Sequence, residues 1–224
     1  MKKTLLTTLA ALICTLTATA QEIPAQKEAD LTLPTEARML QVAGQLVKYG
    51  YSENQALPLI QAADIYESVG AGKLRKKAIG EGGIDSPEKT ASRVSFDPER
   101  LLADAGMMAG NDAALHALIK RVRLNANRGA VQSYSATTEI IRAGATDTYE
   151  IEFRGGELAI VVVTGDGDTD LDVFIYDSEG NLVDSDTDNT DDCVCEWLPS
   201  ATDTYRIVIK NYGEVYNNYM IAVN

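Results

Sequence analysis

The chain has 224 residues, with 20 Lys+Arg against 33 Asp+Glu and one His, a formal net charge of −13 at pH 7. Such an acidic surface repels phosphate backbones, which argues against nucleic-acid binding. Residues 21–130 carry 14 basic and 14 acidic side chains, whereas residues 131–224 carry four and 19, so two differently built halves are expected.

Residues 1–20 read as a signal peptide: Lys2 and Lys3, an apolar run to Ile13, then Ala18-Thr19-Ala20 before Gln21. An exported protein, periplasmic or extracellular, is the expectation. Beyond the signal no apolar stretch reaches about 18 residues, so the mature chain is expected to lack a membrane span. Residues 21–34 form an N-terminal linker, and a helical domain follows over 35–130.

In that domain Leu40, Ala43 and Val47 predict a helix from Thr35 to Gly50, and Leu59, Ile60, Ala63 and Tyr66 a second one starting near Leu57. Residues 71–95 are polar and glycine-containing, with a basic cluster at Lys73, Arg75, Lys76 and Lys77, and predict a flexible loop. Asp97 as N-cap and Pro98 at the first position start a third helix. Asn111 caps a fourth, whose stripe is Leu115, Leu118, Ile119 and Val122. Tyr49-Gly50 and Ala62-Ala63-Asp64-Ile65-Tyr66 are similar to tetratricopeptide-type hairpins, although four helices burying their own stripes suffice. His116 is assigned a structural role, because no triad partner lies near it in sequence.

From Ser135 the apolar period changes to two. Tyr149, Ile151 and Phe153 alternate with charged residues, and Leu158–Val163 is apolar on both faces, hence central. Val173–Tyr176, Leu182-Val183, Cys193–Trp197, Tyr205–Lys210 and Tyr219–Val223 follow, separated by turns. The expected fold is therefore α+β: a small N-terminal helical-hairpin domain, then a C-terminal antiparallel β-sandwich over 135–224. Cys193 and Cys195 lie on one face of their strand with Trp197. A disulfide requires Cα atoms within about 6.8 Å, which an extended i, i+2 pair barely meets. Buried thiols, a strained local bridge and an intermolecular bridge all stay open.

The run Gly165-Asp166-Gly167-Asp168-Thr169-Asp170-Leu171-Asp172-Val173-Phe174-Ile175-Tyr176-Asp177, followed by Gly180-Asn181-Leu182-Val183, resembles the bacterial pre-peptidase C-terminal domain family. Trp197-Leu198-Pro199 and Thr204–Ile209 match the positions of that family's closing strands. The resemblance covers residues 135–224. It implies a jelly-roll-like sandwich in a secreted context, and related collagen-binding modules bind calcium. It carries no activity across, because no domain of protease size accompanies the sandwich. The helical hairpins, Arg128-Gly129-Ala130 and the sandwich together also resemble a group of uncharacterised secreted bacterial proteins.

Eleven acids and no base lie between Asp166 and Asp192. Carboxylates this dense raise one another's pKa unless solvated or countered by a cation. Calcium, a hard ion taking six to eight oxygens, suits such a site. The candidate ligands are Asp166, Asp168, Asp170 and Asp172, helped by residues 184–188. An EF-hand is excluded, because Val173 stands where its loop requires glycine. A glycosidase would need aromatic platforms around paired carboxylates. The expected function is non-catalytic binding or adhesion through the sandwich, to a protein or an extracellular polymer. The competing expectations are an accessory or inhibitor-like factor acting through the helical hairpins, and a hydrolase using paired carboxylates.

Overall fold

A computed structural model describes residues 34–69, 72–74, 78–84, 94–126 and 134–224. The signal peptide, most of the 21–34 linker, Arg75, Lys76, Lys77 and Arg128-Gly129-Ala130 lie outside the described residues.

The helices form where the apolar stripes and caps place them. They are α1 (Thr35–Ser52), α2 (Ala56–Val69), α3 (Pro98–Met108) and α4 (Ala113–Ala126). Pro58 falls in the first turn of α2, where a missing N–H leaves no hydrogen bond unmade. Asp97 caps α3, accepting from the Arg100 N–H at 2.8 Å. At α4 the cap is Asp112 rather than Asn111. Its carboxylate accepts from the N–H groups of Ala114 and Leu115 at 2.8 and 3.1 Å, so the helix starts one residue later than expected.

The expected loop over 71–95 contains two strands. β1 (Gly72–Lys73) and β2 (Ile79–Ile84) each join a sheet. The sequence hides β2 because all six of its residues are exposed, so no inward face imposes an apolar alternation.

The remaining strands are β3 (Ser135–Ile141), β4 (Ala143–Phe153), β5 (Ala159–Gly165), β6 (Leu171–Tyr176), β7 (Leu182–Asp186), β8 (Asp192–Trp197), β9 (Asp203–Asn211) and β10 (Asn217–Val223). Sheet A has the order β1-β3-β10-β5-β8 and sheet B the order β2-β4-β9-β6-β7. All pairings are antiparallel except β1 with β3. Without β1 and β2, the orders 3-10-5-8 and 4-9-6-7 are those of a jelly roll. The fold is α+β, as expected. The segment between α2 and α3 adds one strand to the β3 edge of sheet A and another to the β4 edge of sheet B.

Two apolar clusters set the layers. Between the sheets lie Tyr149, Ile151, Val161, Val163, Ile175, Cys195, Ile207, Ile209, Tyr219 and Ile221. The opposite face of sheet A presents Ile160, Val162, Val194, Met220 and Ala222, which pack against Leu40, Val47, Leu59, Tyr66, Leu101 and Val122. The central strands of sheet A are therefore buried on both faces, and β5 is buried throughout for that reason. The helical layer and the sandwich belong to a single compact unit from Leu33 to Asn224, meeting through the apolar cluster on the helix-facing side of sheet A. No helix among the described residues is long and apolar enough to cross a membrane.

Candidate functional site at the acidic end of the sandwich

The β5–β6 loop, the β7–β8 loop and the β9–β10 connection meet at one end of the sandwich, and their side chains are knitted together. The Asn217 amide donates to the Thr169 carbonyl at 3.2 Å and to Asp191 at 3.1 Å, while its oxygen accepts from the Asp166 N–H at 3.2 Å. Asp166 is 7% exposed and accepts from the Asn218 N–H at 3.0 Å and the Asp168 N–H at 3.3 Å. Asp191, 5% exposed, accepts from the Gly167 N–H. Gly165 is required here, because a Cβ at that position would collide with the Asp191 carboxylate.

The counter-charge comes from outside the acidic half. Lys48, on α1, places its ammonium 3.0 Å from Asp191 Oδ1 and 2.7 Å from Asp192 Oδ2. Burial alone would lower the Lys48 pKa. The hydrogen bonds and charges of Asp192 and Asp191 outweigh burial and hold it above its ordinary value. Asp192 is raised by burial in spite of Lys48. The run of acids without a local base is thus answered across 143 residues of sequence, a pairing that local spacing cannot reveal.

Two further acids act as hydrogen-bond acceptors for the sheets. β7 and β8 are neighbouring edge strands of different sheets. Asp186 accepts from the Val194 N–H at 2.9 Å and Asp184 from the Glu196 N–H at 2.8 Å. Alternate residues of β7 satisfy alternate outward N–H groups of β8, which blunts an otherwise open edge.

The four candidate calcium ligands divide accordingly. Asp166 is engaged with backbone N–H groups, and Asp168 is exposed. Asp170 and Asp172 are half-buried and lie near Asp186 and Asp188. Asp170 is raised by burial and then by the charges of Asp188 and Asp191. Asp172 is raised by burial, then by Asp170 and Asp186, with Lys210 opposing. Asp170 Oδ1 is buried and finds no hydrogen-bond partner among the described residues. Of the four, Asp170 and Asp172 combine partial burial with raised carboxyls, and Asp170 also has the unpartnered oxygen. As they stand, no three acids, cysteines or histidines among the described residues are arranged to hold a metal.

Cys193 and Cys195 are both thiols, buried beside Trp197 in the sandwich core. The Cys193 thiol lies 3.0 Å from the Leu171 carbonyl as its donor, and burial pushes its pKa well up. A thiol so placed is neither a nucleophile nor a metal ligand. His116 is exposed on α4 and contacts the Gly110 carbonyl at 2.9 Å, which ties down the α3–α4 turn.

The outer face of sheet B escaped the sequence reading. Phe174 and Tyr176 alternate outward on β6, and from β9 Lys210 and Arg206 lie over their rings, each 5.0 Å from the centroid. The signal was the alternation Val173/Ile175 inward against Phe174/Tyr176 outward.

No protein-family model matches this chain, and no curated protein matches it.

Proposed function

We propose that the chain is an exported, non-catalytic binding protein whose contact surface is the outer face of sheet B, and whose partner is a protein or an extracellular polymer. The observation that carries this reading is the row of Phe174, Tyr176, Arg206 and Lys210 on that face, exposed or half-buried. Aromatic and arginine side chains contribute disproportionately where partners dock. The apolar faces of α1 and α2 are engaged with sheet A, which favours the sandwich over the hairpins as the contact surface. The resemblance of residues 135–224 to pre-peptidase C-terminal domains supports the same reading. Binding of the full chain to immobilised extracellular polymers and proteins tests it. The variant Phe174→Ala/Tyr176→Ala/Arg206→Ala should bind at least about tenfold more weakly, a loss of about 1.4 kcal/mol, with an unchanged thermal midpoint. Equal binding by the variant would overturn the proposal.

A second reading concerns calcium at Asp170, Asp172, Asp186 and Asp188. The unpartnered Asp170 oxygen favours it, as do burial and neighbouring acids that raise the Asp170 and Asp172 carboxyls. A stabilising ligand raises the melting midpoint in proportion to its binding. Calcium should therefore raise the midpoint of the full chain, and Asp170→Asn should abolish the shift. An unchanged midpoint at saturating calcium would dismiss this reading.

A further inference from the structure

Three buried oxygens lie where the helical layer covers sheet A. Thr164 on β5 and Asp192 on β8 are direct cross-strand partners. Side chains so paired have Cβ atoms about 4.5–5.5 Å apart. Both residues lie on the helix-facing side of sheet A, in step with Val162 and Val194. Above them, α1 approaches closely. Gly44 abuts Thr164, and Lys48, one turn further along the same helix face, reaches Asp192. From α2 comes Tyr66, 3% exposed, with its hydroxyl pushed up by burial and then by the charge of Asp192.

Tyr66 Oη, Thr164 Oγ1 and Asp192 Oδ1 are each buried and find no hydrogen-bond partner among the described residues. Folded proteins pair nearly all such groups. Three orphans gathered at one interface therefore point to a common partner.

We propose that this interface binds one internal water molecule, held by Tyr66, Thr164 and Asp192. The donor and acceptor inventory fits a single water. It accepts from the two hydroxyls and donates to the carboxylate oxygen, satisfying all three groups with the usual number of bonds for a buried water. Water is neutral, so the division of the Lys48 charge between Asp191 and Asp192 is undisturbed. A monovalent cation fits less well, because the Lys48 ammonium sits against the same carboxylate and repels it. The water makes the helical layer and sheet A one hydrogen-bonded body at this contact.

A high-resolution crystal structure of the full chain tests this directly. The expected result is a solvent peak about 2.7–3.2 Å from all three oxygens. Direct contact among the three, or a peak that acquires anomalous signal on thallium exchange, would overturn it. In solution, Tyr66→Phe, Thr164→Val and the double variant close a thermodynamic cycle in the full chain. Loss of a shared water makes the second substitution less costly than it is alone. Strictly additive losses in melting midpoint would count against the site.

Discussion

Asp147 alternates with Ala145 and Tyr149 on the inward side of β4, so its carboxylate points between the sheets. It accepts a 2.8 Å hydrogen bond from Tyr219, whose hydroxyl meets that of Tyr149 at 2.7 Å. Burial raises Asp147 above its ordinary 3.8, although Tyr219 opposes the rise. A carboxyl raised in the folded state stabilises the fold below the unfolded pKa, and that contribution is lost as pH climbs through the folded value. Asp147→Asn keeps an acceptor for Tyr219 and removes the buried charge. We expect it to raise the thermal midpoint at neutral pH by about 2–4 °C, a gain that vanishes on acidification, as read by calorimetry across pH. The sequence concealed this residue, because Thr146-Asp147-Thr148 reads as a polar connection and the strand's alternation becomes apparent only from Tyr149. Gly44 was equally silent. It lies within a helical stripe, and its need to be glycine depends on Thr164, 120 positions away. A Cβ there would strike the Thr164 side chain, so Gly44→Ala should cost about 1–3 kcal/mol in urea unfolding.

Between elements, carboxylates do what backbone pairing does elsewhere. Asp184 and Asp186 stand where another strand's carbonyls would meet β8. Asp186→Ala removes the carboxylate that accepts from the Val194 N–H at a half-open edge, and should cost about 1–2 kcal/mol and promote association visible by light scattering. Asp186→Asn, which retains an acceptor oxygen, should behave nearly as the wild type. If both variants were equally stable and equally monodisperse, the edge-capping role would be refuted. The α1–sheet A junction depends similarly on Lys48. Lys48→Met strands two acids with one another, and should cost about 2–3 kcal/mol, below the fully buried range because solvent reaches the pair. In the wild type the contribution of Lys48 is complete below its unfolded value of 10.5 and is lost as pH rises through the elevated folded value. Stopped-flow or equilibrium unfolding at alkaline pH should show that loss, and the methionine variant should not. The sequence displayed the acids plainly, and the period-two strands placed them at loop ends. It could not say which were acceptors for N–H groups and which were left free. That depends on which edge strands become neighbours when the jelly roll closes.

At the scale of the whole molecule, the two halves read from charge are two layers of one body. The strand pattern was legible because sheet B and the inner face of sheet A follow simple alternation. Even the doubly apolar β5 was identified as central. What local pattern did not convey was the partner of its second face, which is the helical layer. Residues 134–224 produced alone would expose Ile160, Val162, Val194, Met220 and Ala222 to water. Such a fragment should associate or precipitate, and bind a hydrophobic dye, whereas the full chain should do neither. A monomeric, dye-silent fragment would show that the helix-facing cluster is dispensable.

Trp197 is the chain's lone tryptophan, packed edge-on against Phe153 at 4.8 Å and against Tyr205 at 5.0 Å. Its fluorescence is thus a reporter confined to the space between the sheets, blind to the helices. Far-ultraviolet circular dichroism, by contrast, is dominated by the helices. Because sheet A contributes to both apolar clusters, the two signals should fade together on heating, so that one cuvette and two wavelengths read the cooperativity of the entire assembly.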